Sequence, residues 1–154
     1  MPMDLRNRIG AGLKDAMRER DATRLGTLRL INAAIKDQDI AARGEGRDGP
    51  VDEQAVLGIL GKMVKQRQES ARAYEEGGRL ELAEKERAEI AIIEQFLPRQ
   101  LSEAEVTAAI EAAIAETGAE GLRDMGRVMA ALKARYTGQM DFGAVGPAVK
   151  AKLA

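Results

Sequence analysis

Apolar side chains recur every three or four residues through most of the chain, which is the spacing of one face of an α-helix. A first helix is predicted over residues 5–20, after Asp4 as its N-cap. A second helix is predicted after Asp21, and we expect the two to pack as a helical hairpin. The apolar stripe of the second helix consists of Leu25, Leu28, Ile31 and Ile35.

A polar segment over residues 43–50 separates this hairpin from the next helices. Three glycines and a proline predict a flexible loop there. The glycine spacing matches neither a Walker loop nor a dinucleotide fingerprint, so a solvated loop is favoured over a phosphate site. A third helix is predicted after Asp52 and ends at Gly77 and Gly78, and a fourth follows over residues 79–96.

The predicted fourth helix ends at a connection between two helical units. Pro98 lacks a backbone N–H, and its ring biases Leu97 away from helical angles, so the helix should stop here. Ser102 and Glu105 have the spacing of a capping box that starts a new helix. Leu101 stands where a hydrophobic staple begins. The sequence therefore predicts a structural joint between two helical units.

Shorter helices are predicted beyond the joint. One covers residues 103–117, a second covers 123–135, and a third starts after Asp141. Pro147 lies inside the third pattern, and an internal proline costs about 3 kcal/mol in a helix. We therefore expect a break at Pro147.

These patterns predict an all-α fold in two parts. Residues 1–97 would form a four-helix N-terminal domain, and residues 98–154 would form a small three-helix tail domain. The composition agrees, because the 154 residues are 45% hydrophobic, 32% charged and only 3% aromatic. We expect an ordered protein.

Two missing residue types limit the possible chemistry. The chain has no cysteine and no histidine, which excludes disulfides, thiolate sites and the usual general base near neutral pH. Four glutamates of the predicted fourth helix could in principle bind metal, but a solvated helix surface is the favoured interpretation. The sequence therefore predicts no catalytic residue, no metal site and no cofactor. The four glutamates are Glu81, Glu84, Glu86 and Glu89.

Charge and hydropathy bear on location and partners. The formal net charge is −1 and the pI is about 5.7, whereas autonomous nucleic-acid binders are usually basic. Global charge thus gives no support to nucleic-acid binding, and no DNA partner is expected. No apolar run approaches the roughly 20 residues of a membrane span, and the N-terminus lacks the apolar segment of a signal peptide. We expect a cytoplasmic protein without a membrane partner.

Basic residues of the tail are the candidates for binding nucleic acid. If several converged, three or four phosphate contacts would give salt-sensitive RNA binding without a net basic domain. The alternative is that they balance the acidic residues of the same segment, since residues 102–154 hold six basic and seven acidic side chains. Both readings stay open at this point. The candidates are Arg123, Arg127, Lys133, Arg135 and Lys150.

Three segments carry a resemblance to a known family. Residues 28–40, residues 77–106 and residues 125–153 together resemble the YqeY family over nearly the whole chain. The last segment is also similar to the tail domain of the B subunit of the bacterial tRNA-dependent amidotransferase, a GatB/YqeY-type tail. The most specific positions are Arg79, Leu82, Ala83 and Glu86, followed by Phe96-Leu97-Pro98 and Gln100-Leu101-Ser102.

The resemblance implies a tRNA-interacting accessory module. In the amidotransferase, such a tail engages the tRNA body, whereas amidation and ATP-dependent activation reside in other domains. Members of the family are often labelled as carbon-nitrogen ligases with glutamine as amido donor, but a shared fold does not carry catalysis. By this resemblance tRNA is the candidate partner, amidotransferase subunits are possible protein partners, and Arg127 and Lys133 are the leading phosphate contacts.

Two other functions stay open. One is a helical protein-protein adaptor without an RNA role, which an exposed apolar groove beside residues 90–101 would favour. The other is a working component of an amidotransferase whose remaining subunits are separate chains.

Overall fold

The computed structural model describes residues 4–47 and 49–154. Over those ranges the protein is all-helical, with seven α-helices, a short 3₁₀ turn at Leu122–Asp124 and no β-strand, which confirms the all-α class. The chain divides into two compact units, one up to Leu97 and one from Pro98. The helices are α1 (Leu5–Glu19), α2 (Ala22–Gly44), α3 (Glu53–Glu76), α4 (Leu80–Glu94), α5 (Glu103–Thr117), α6 (Met125–Tyr136) and α7 (Phe142–Leu153).

Aspartates start the first three helices, as the sequence predicts. The side chains of Asp4, Asp21 and Asp52 each accept a hydrogen bond from the backbone N–H three residues later. Each bond satisfies one of the donors that a helix N-terminus leaves unpaired. The caps therefore fix where α1, α2 and α3 begin.

The first unit is built on an apolar core shared by α1 to α4. Burial of these side chains removes apolar surface from water, which is the main stabilising term in such a bundle. Gly12 of α1 permits close packing, because a Cβ there would lie 3.3 Å from the ring of Phe96. The most deeply buried side chains of this core include Ile9, Leu28, Ile31, Val56, Leu60 and Ile93.

A partly buried ion pair connects α1 to α2 and to the loop before α3. Arg6 donates to both carboxylate oxygens of Asp39, at 2.7 and 3.1 Å, and also to the carbonyl of Val51. The Val51 N–H donates back to Asp39 at 2.9 Å. The hydrogen bonds from Arg6, and next the one from Val51, lower the pKa of Asp39. This network joins α1, α2 and the segment that precedes α3.

The connection between α2 and α3 is shorter than predicted. α2 continues to Gly44, where the sequence predicts a loop from residue 43. The helix then ends because Gly46 adopts a positive φ of 87°, a conformation that glycine reaches without strain. Asp48, within the predicted loop, lies outside the described residues.

The distal halves of α3 and α4 form a two-helix extension of the first unit. The main apolar cluster of the unit has no described member between Val64 and Ile92, and the buried apolar residues in that range are Ala71, Ala83 and Ile90. An ion pair between Arg67 and Glu89, 3.0 Å apart, joins the two helices there, and both side chains are about 15% exposed. Small buried side chains and this ion pair therefore both contribute to the packing of α3 against α4.

The second unit has its own apolar core. The central helix α6 packs against both α5 and α7. Val128 and Leu132 of α6 are almost fully buried, and so are Ile110 of α5 and Val149 of α7. The spacing of Val128 and Leu132 places both on one side of α6, where they meet the apolar stripes of the two neighbours.

The predicted break at Pro147 is wrong. α7 runs without interruption from Phe142 to Leu153 with Pro147 inside it. The preceding residue is Gly146, and a residue without Cβ avoids part of the steric clash with the proline ring. Val145 and Val149, on either side, are buried in the core and hold the helix in place.

Candidate nucleic-acid interface

The five basic candidates of the second unit all lie at exposed positions. Arg123 is in the 3₁₀ turn before α6, and Lys150 is in the last turn of α7. Arg127, Lys133 and Arg135 are on α6. The structure thus leaves every candidate accessible to a ligand.

The structure does not bring the three cations of α6 onto one face. Successive residues are about 100° apart around an α-helix. Arg127 and Lys133 are therefore about 120° apart, and Lys133 and Arg135 about 160° apart, around the helix axis. A single straight phosphate backbone could not contact all three.

Arg127 is held in a defined position. Its Nη1 donates to the carbonyl of Thr117 at 2.9 Å, and its Nη2 donates to Asp124 at 2.8 Å. The carbonyl belongs to the last residue of α5, where a helix leaves acceptors unpaired. The Arg127 side chain is nevertheless 58% exposed, so its remaining N–H donors face solvent.

Asp124, the partner of Arg127, is a strongly acidic carboxylate. Its other oxygen accepts a hydrogen bond from the backbone N–H of Glu120 at 3.0 Å. That bond, followed by the one from Arg127, lowers the pKa of Asp124 to about 2. Asp124 therefore stays ionised at neutral pH and keeps Arg127 oriented.

Other cations of this unit are paired with carboxylates across helices. Arg135 of α6 lies 3.1 Å from Glu116 of α5, and the hydrogen bond from this carboxylate raises the pKa of Arg135. Lys152 of α7 lies 2.9 Å from Glu111 of α5. All four side chains are at least one third exposed, so solvent screens both pairs and their contribution to stability is small.

The start of α5 has the capping box that the sequence predicts. The Ser102 hydroxyl accepts from the Glu105 N–H, and the Glu105 carboxylate accepts from the Ser102 N–H. Arg99 adds two hydrogen bonds to the same carboxylate, at 2.8 and 2.9 Å. These contacts, those from Arg99 first, lower the pKa of Glu105 to about 2.

The other predicted joint residues are Leu97, Pro98 and Leu101. Leu101 is half-buried against the core of the second unit, and its N–H donates to the carbonyl of Gln139 at 2.9 Å. Leu97 is half-buried against the core of the first unit. Pro98 is exposed and follows a final turn of α4 that closes with the Leu97 N–H on Glu94.

In the described ranges, the geometry supports neither a metal site nor a membrane span, nor an apolar groove at residues 90–101. No group of three or more acidic, histidine or cysteine side chains is placed to hold a metal ion there. No helix in the same part of the chain is long and apolar enough to cross a membrane. No large hydrophobic side chain of residues 90–101 is largely exposed, which gives no support to an adaptor groove at those residues.

The sequence interpretation missed an exposed surface on α2. Leu30 and Ile40 are 50% and 63% exposed, which is unusual for large aliphatic side chains. Arg29, Lys36 and Arg43 are also exposed along this helix. Their seven-residue spacing is visible in the sequence.

Several fungal proteins are similar to this chain. Three of them, given below, carry the name Altered inheritance of mitochondria protein 41, mitochondrial. The protein of Eremothecium gossypii is 36% identical over 85 residues, which is 55% of this chain and 44% of that protein. The Lachancea thermotolerans protein is 33% identical over 106 residues, 68% of this chain and 54% of that protein. The Pyrenophora tritici-repentis protein is 30% identical over 135 residues, 83% of this chain and 71% of that protein. The chain thus spans about half the length of the first two relatives.

These relatives contradict the cytoplasmic location predicted from the sequence, because they are named as mitochondrial proteins. That prediction relied on the absence of an apolar signal segment at the N-terminus. Mitochondrial transit peptides are amphipathic and rich in arginine and serine, so an apolar segment is the wrong criterion for them. Composition and fold do not determine the compartment.

The family comparison covers nearly the whole chain. The family described as Yqey-like protein matches residues 6–153. This range extends from the first turn of α1 to the last residue of α7 and includes both compact units. The chain therefore belongs to the YqeY-like protein family.

Proposed function

We propose that this protein is a tRNA-interacting accessory module linked to tRNA-dependent amidation, without a catalytic centre of its own. In this proposal the first unit is a four-helix domain and the second is a three-helix tail that contacts the tRNA body. The amidation chemistry, which carries the family's carbon-nitrogen ligase label, would belong to partner subunits. The similarity of the tail segment to the amidotransferase B subunit supports this assignment.

The observation that carries the proposal is the geometry of Arg127. A guanidinium has five N–H donors, and two hydrogen bonds to Thr117 and Asp124 orient this one while most of its surface remains exposed. An oriented arginine loses less side-chain freedom when it binds an anion, which favours a phosphate contact. Arginine also binds phosphate through two parallel hydrogen bonds.

Lys133 and Lys150 are the other leading contacts. Both are exposed, and they extend from different helices, α6 and α7. Each phosphate contact releases condensed counterions, so the affinity should fall as salt rises. The balanced charge of the unit limits non-specific attraction, which favours a partner of defined shape over any polyanion.

A double variant tests the proposal. Arg127→Ala with Lys133→Ala should weaken tRNA binding and reduce the salt slope of log K by about 2, one for each lost phosphate contact. Fluorescence anisotropy with labelled deacylated tRNA would measure both quantities. Circular dichroism would verify that helicity is unchanged, because Arg127 also contacts the end of α5.

A matched control is available in the first unit. Lys14→Ala with Lys62→Ala removes two exposed cations far from the tail in sequence and should leave the salt slope unchanged. Equal loss of affinity in both double variants would mean that binding is non-specific. Unchanged affinity in the Arg127 and Lys133 variant would remove these residues from the interface.

A protein-protein adaptor is the second candidate function. The specific observation in its favour is the exposed apolar surface of the first unit, at Leu30 and Ile40 of α2. An adaptor would bind a protein through this surface and would not need tRNA. The two functions use different residues and can be tested separately.

A further inference from the structure

The outward side of α2 carries a regular apolar row. Leu30, Ala33, Asp37 and Ile40 follow one another at spacings of three, four and three residues, and all four are exposed. Positions spaced in this way lie on one side of an α-helix and form the contact seam of a coiled coil. The buried side of α2 faces the bundle, so this row is a second seam that no described residue covers.

A row of cations runs beside the seam. Arg29, Lys36 and Arg43 recur every seven residues, so they stay on one side of the helix over about 21 Å. Arg29 and Lys36 immediately precede the seam residues Leu30 and Asp37, and Arg43 lies one turn beyond Ile40, as charged flanking positions of a coiled coil do. Arg29 and Lys36 make no ion pair with any residue in the described ranges.

Asp37 decides which kind of partner fits. It lies in the middle of the row, where insertion into a lipid surface would desolvate its carboxylate, which is strongly unfavourable. Binding to an RNA backbone would not bury the exposed aliphatic side chains of Leu30 and Ile40. The Asp37 carboxylate would also repel the phosphates of an RNA. A helix of another protein can bury the aliphatic side chains and offer a hydrogen-bond donor to Asp37.

We propose that the outward side of α2 is a docking surface for an acidic amphipathic helix of a partner protein. The partner helix would pack apolar residues against Leu30 and Ile40 and would place carboxylates opposite Arg29, Lys36 and Arg43. Charge complementarity and the seven-residue repeat support this occupant. The inference rests on the adaptor candidate and does not depend on tRNA binding.

Two designed peptides provide the probe. Both are amphipathic helices of about three heptads with a leucine seam and one asparagine opposite Asp37, and one carries glutamates where the other carries lysines at the flanking positions. Isothermal titration calorimetry would measure the affinity of the full chain for each. The glutamate peptide should bind about tenfold more tightly than the lysine peptide, through three favourable charge pairs.

Variants of α2 test whether its charges and its exposed apolar residues determine the affinity for the peptides. Combined Arg29→Glu, Lys36→Glu and Arg43→Glu substitutions should invert the preference between the two peptides. Ile40→Glu should weaken binding of the glutamate peptide by about tenfold or more, because its seam contact is lost. Leu80→Glu is the matched control, since Leu80 is 62% exposed but lies on α4, and it should change nothing.

Several results would overturn the proposal. These are no binding of either peptide, equal affinity for the two, equal effects of Ile40→Glu and Leu80→Glu, or binding to anionic vesicles that depends on Ile40 in place of peptide binding. A tRNA titration of the Ile40→Glu variant separates this inference from the tRNA proposal. Normal tRNA binding with lost peptide binding would show that the two surfaces are independent.

Discussion

At the scale of single residues, the ionisation of Glu105 at the start of α5 makes the stability of the protein depend on pH. Its pKa is about 2 in the folded protein and about 4.3 in an unfolded chain. A depressed folded pKa stabilises the protein fully above the unfolded pKa, and that stabilisation is lost as the pH falls through the folded pKa. The relevant window is therefore about pH 4.5 to pH 2.

We predict that Glu105→Gln lowers the free energy of unfolding near neutral pH and has a much smaller effect near pH 2. Arg99 and the Ser102 N–H lose their charged acceptor in this variant. Urea unfolding of both proteins, followed by circular dichroism at several pH values, would measure the difference. A difference that stays constant from pH 7 to pH 2 would contradict the assigned role of this carboxylate.

Residues that act on their own neighbours were predictable from the sequence. Asp4, Asp21, Asp52 and the Ser102-Glu105 box cap their helices by contacts that span three residues. The interactions of Arg127 were not predictable, because its contact with Thr117 needs the turn between α5 and α6 to bring the two together. A local pattern cannot supply that contact.

At the scale of elements, the distal hairpin of α3 and α4 offers a comparison of two ion pairs. Arg67 and Glu89 are only 14% and 16% exposed, whereas Arg87 and Glu75 are 48% and 46% exposed. Removing a carboxylate from a largely buried pair leaves its cation without compensation. An exposed cation is instead solvated by water.

We predict that Glu89→Gln lowers the free energy of unfolding by about 2 kcal/mol. Glu75→Gln, the matched change in the exposed pair, should lower it by less than about 0.5 kcal/mol. Hydrogen exchange of amides in α3 and α4 would locate the loss in the hairpin. Equal effects of the two substitutions would show that burial does not control the strength of these pairs.

Helix bounds followed from periodicity and caps, with two informative exceptions. α2 is longer than predicted, since Gly44 alone does not stop a helix and the turn at Gly46 does. α7 passes through Pro147 because Gly146 and the buried valines around it offset the local penalty. The α2 bound depends on which glycine adopts a positive φ, whereas at Pro147 the packing of the core outweighs a local propensity.

At the scale of the whole molecule, the sequence specified the all-α class but not the surfaces that bind partners. The hydrophobic pattern identifies buried stripes, and it treats the opposite side of each helix as solvated. Leu30 and Ile40 escaped notice for this reason, although a seven-residue repeat accompanied them. The compartment could not be predicted either, because targeting depends on a segment read by a receptor and not on the fold.

We propose that the tail contacts the body of tRNA. The most direct measurement is a titration of the purified protein with deacylated tRNA and with a duplex DNA of similar charge, at about 50 and 200 mM salt. The proposal predicts micromolar binding that prefers tRNA and weakens by about 40-fold between the two salt concentrations, as expected for three phosphate contacts. No binding to tRNA at the lower salt concentration, or equal binding of tRNA and DNA, would contradict it.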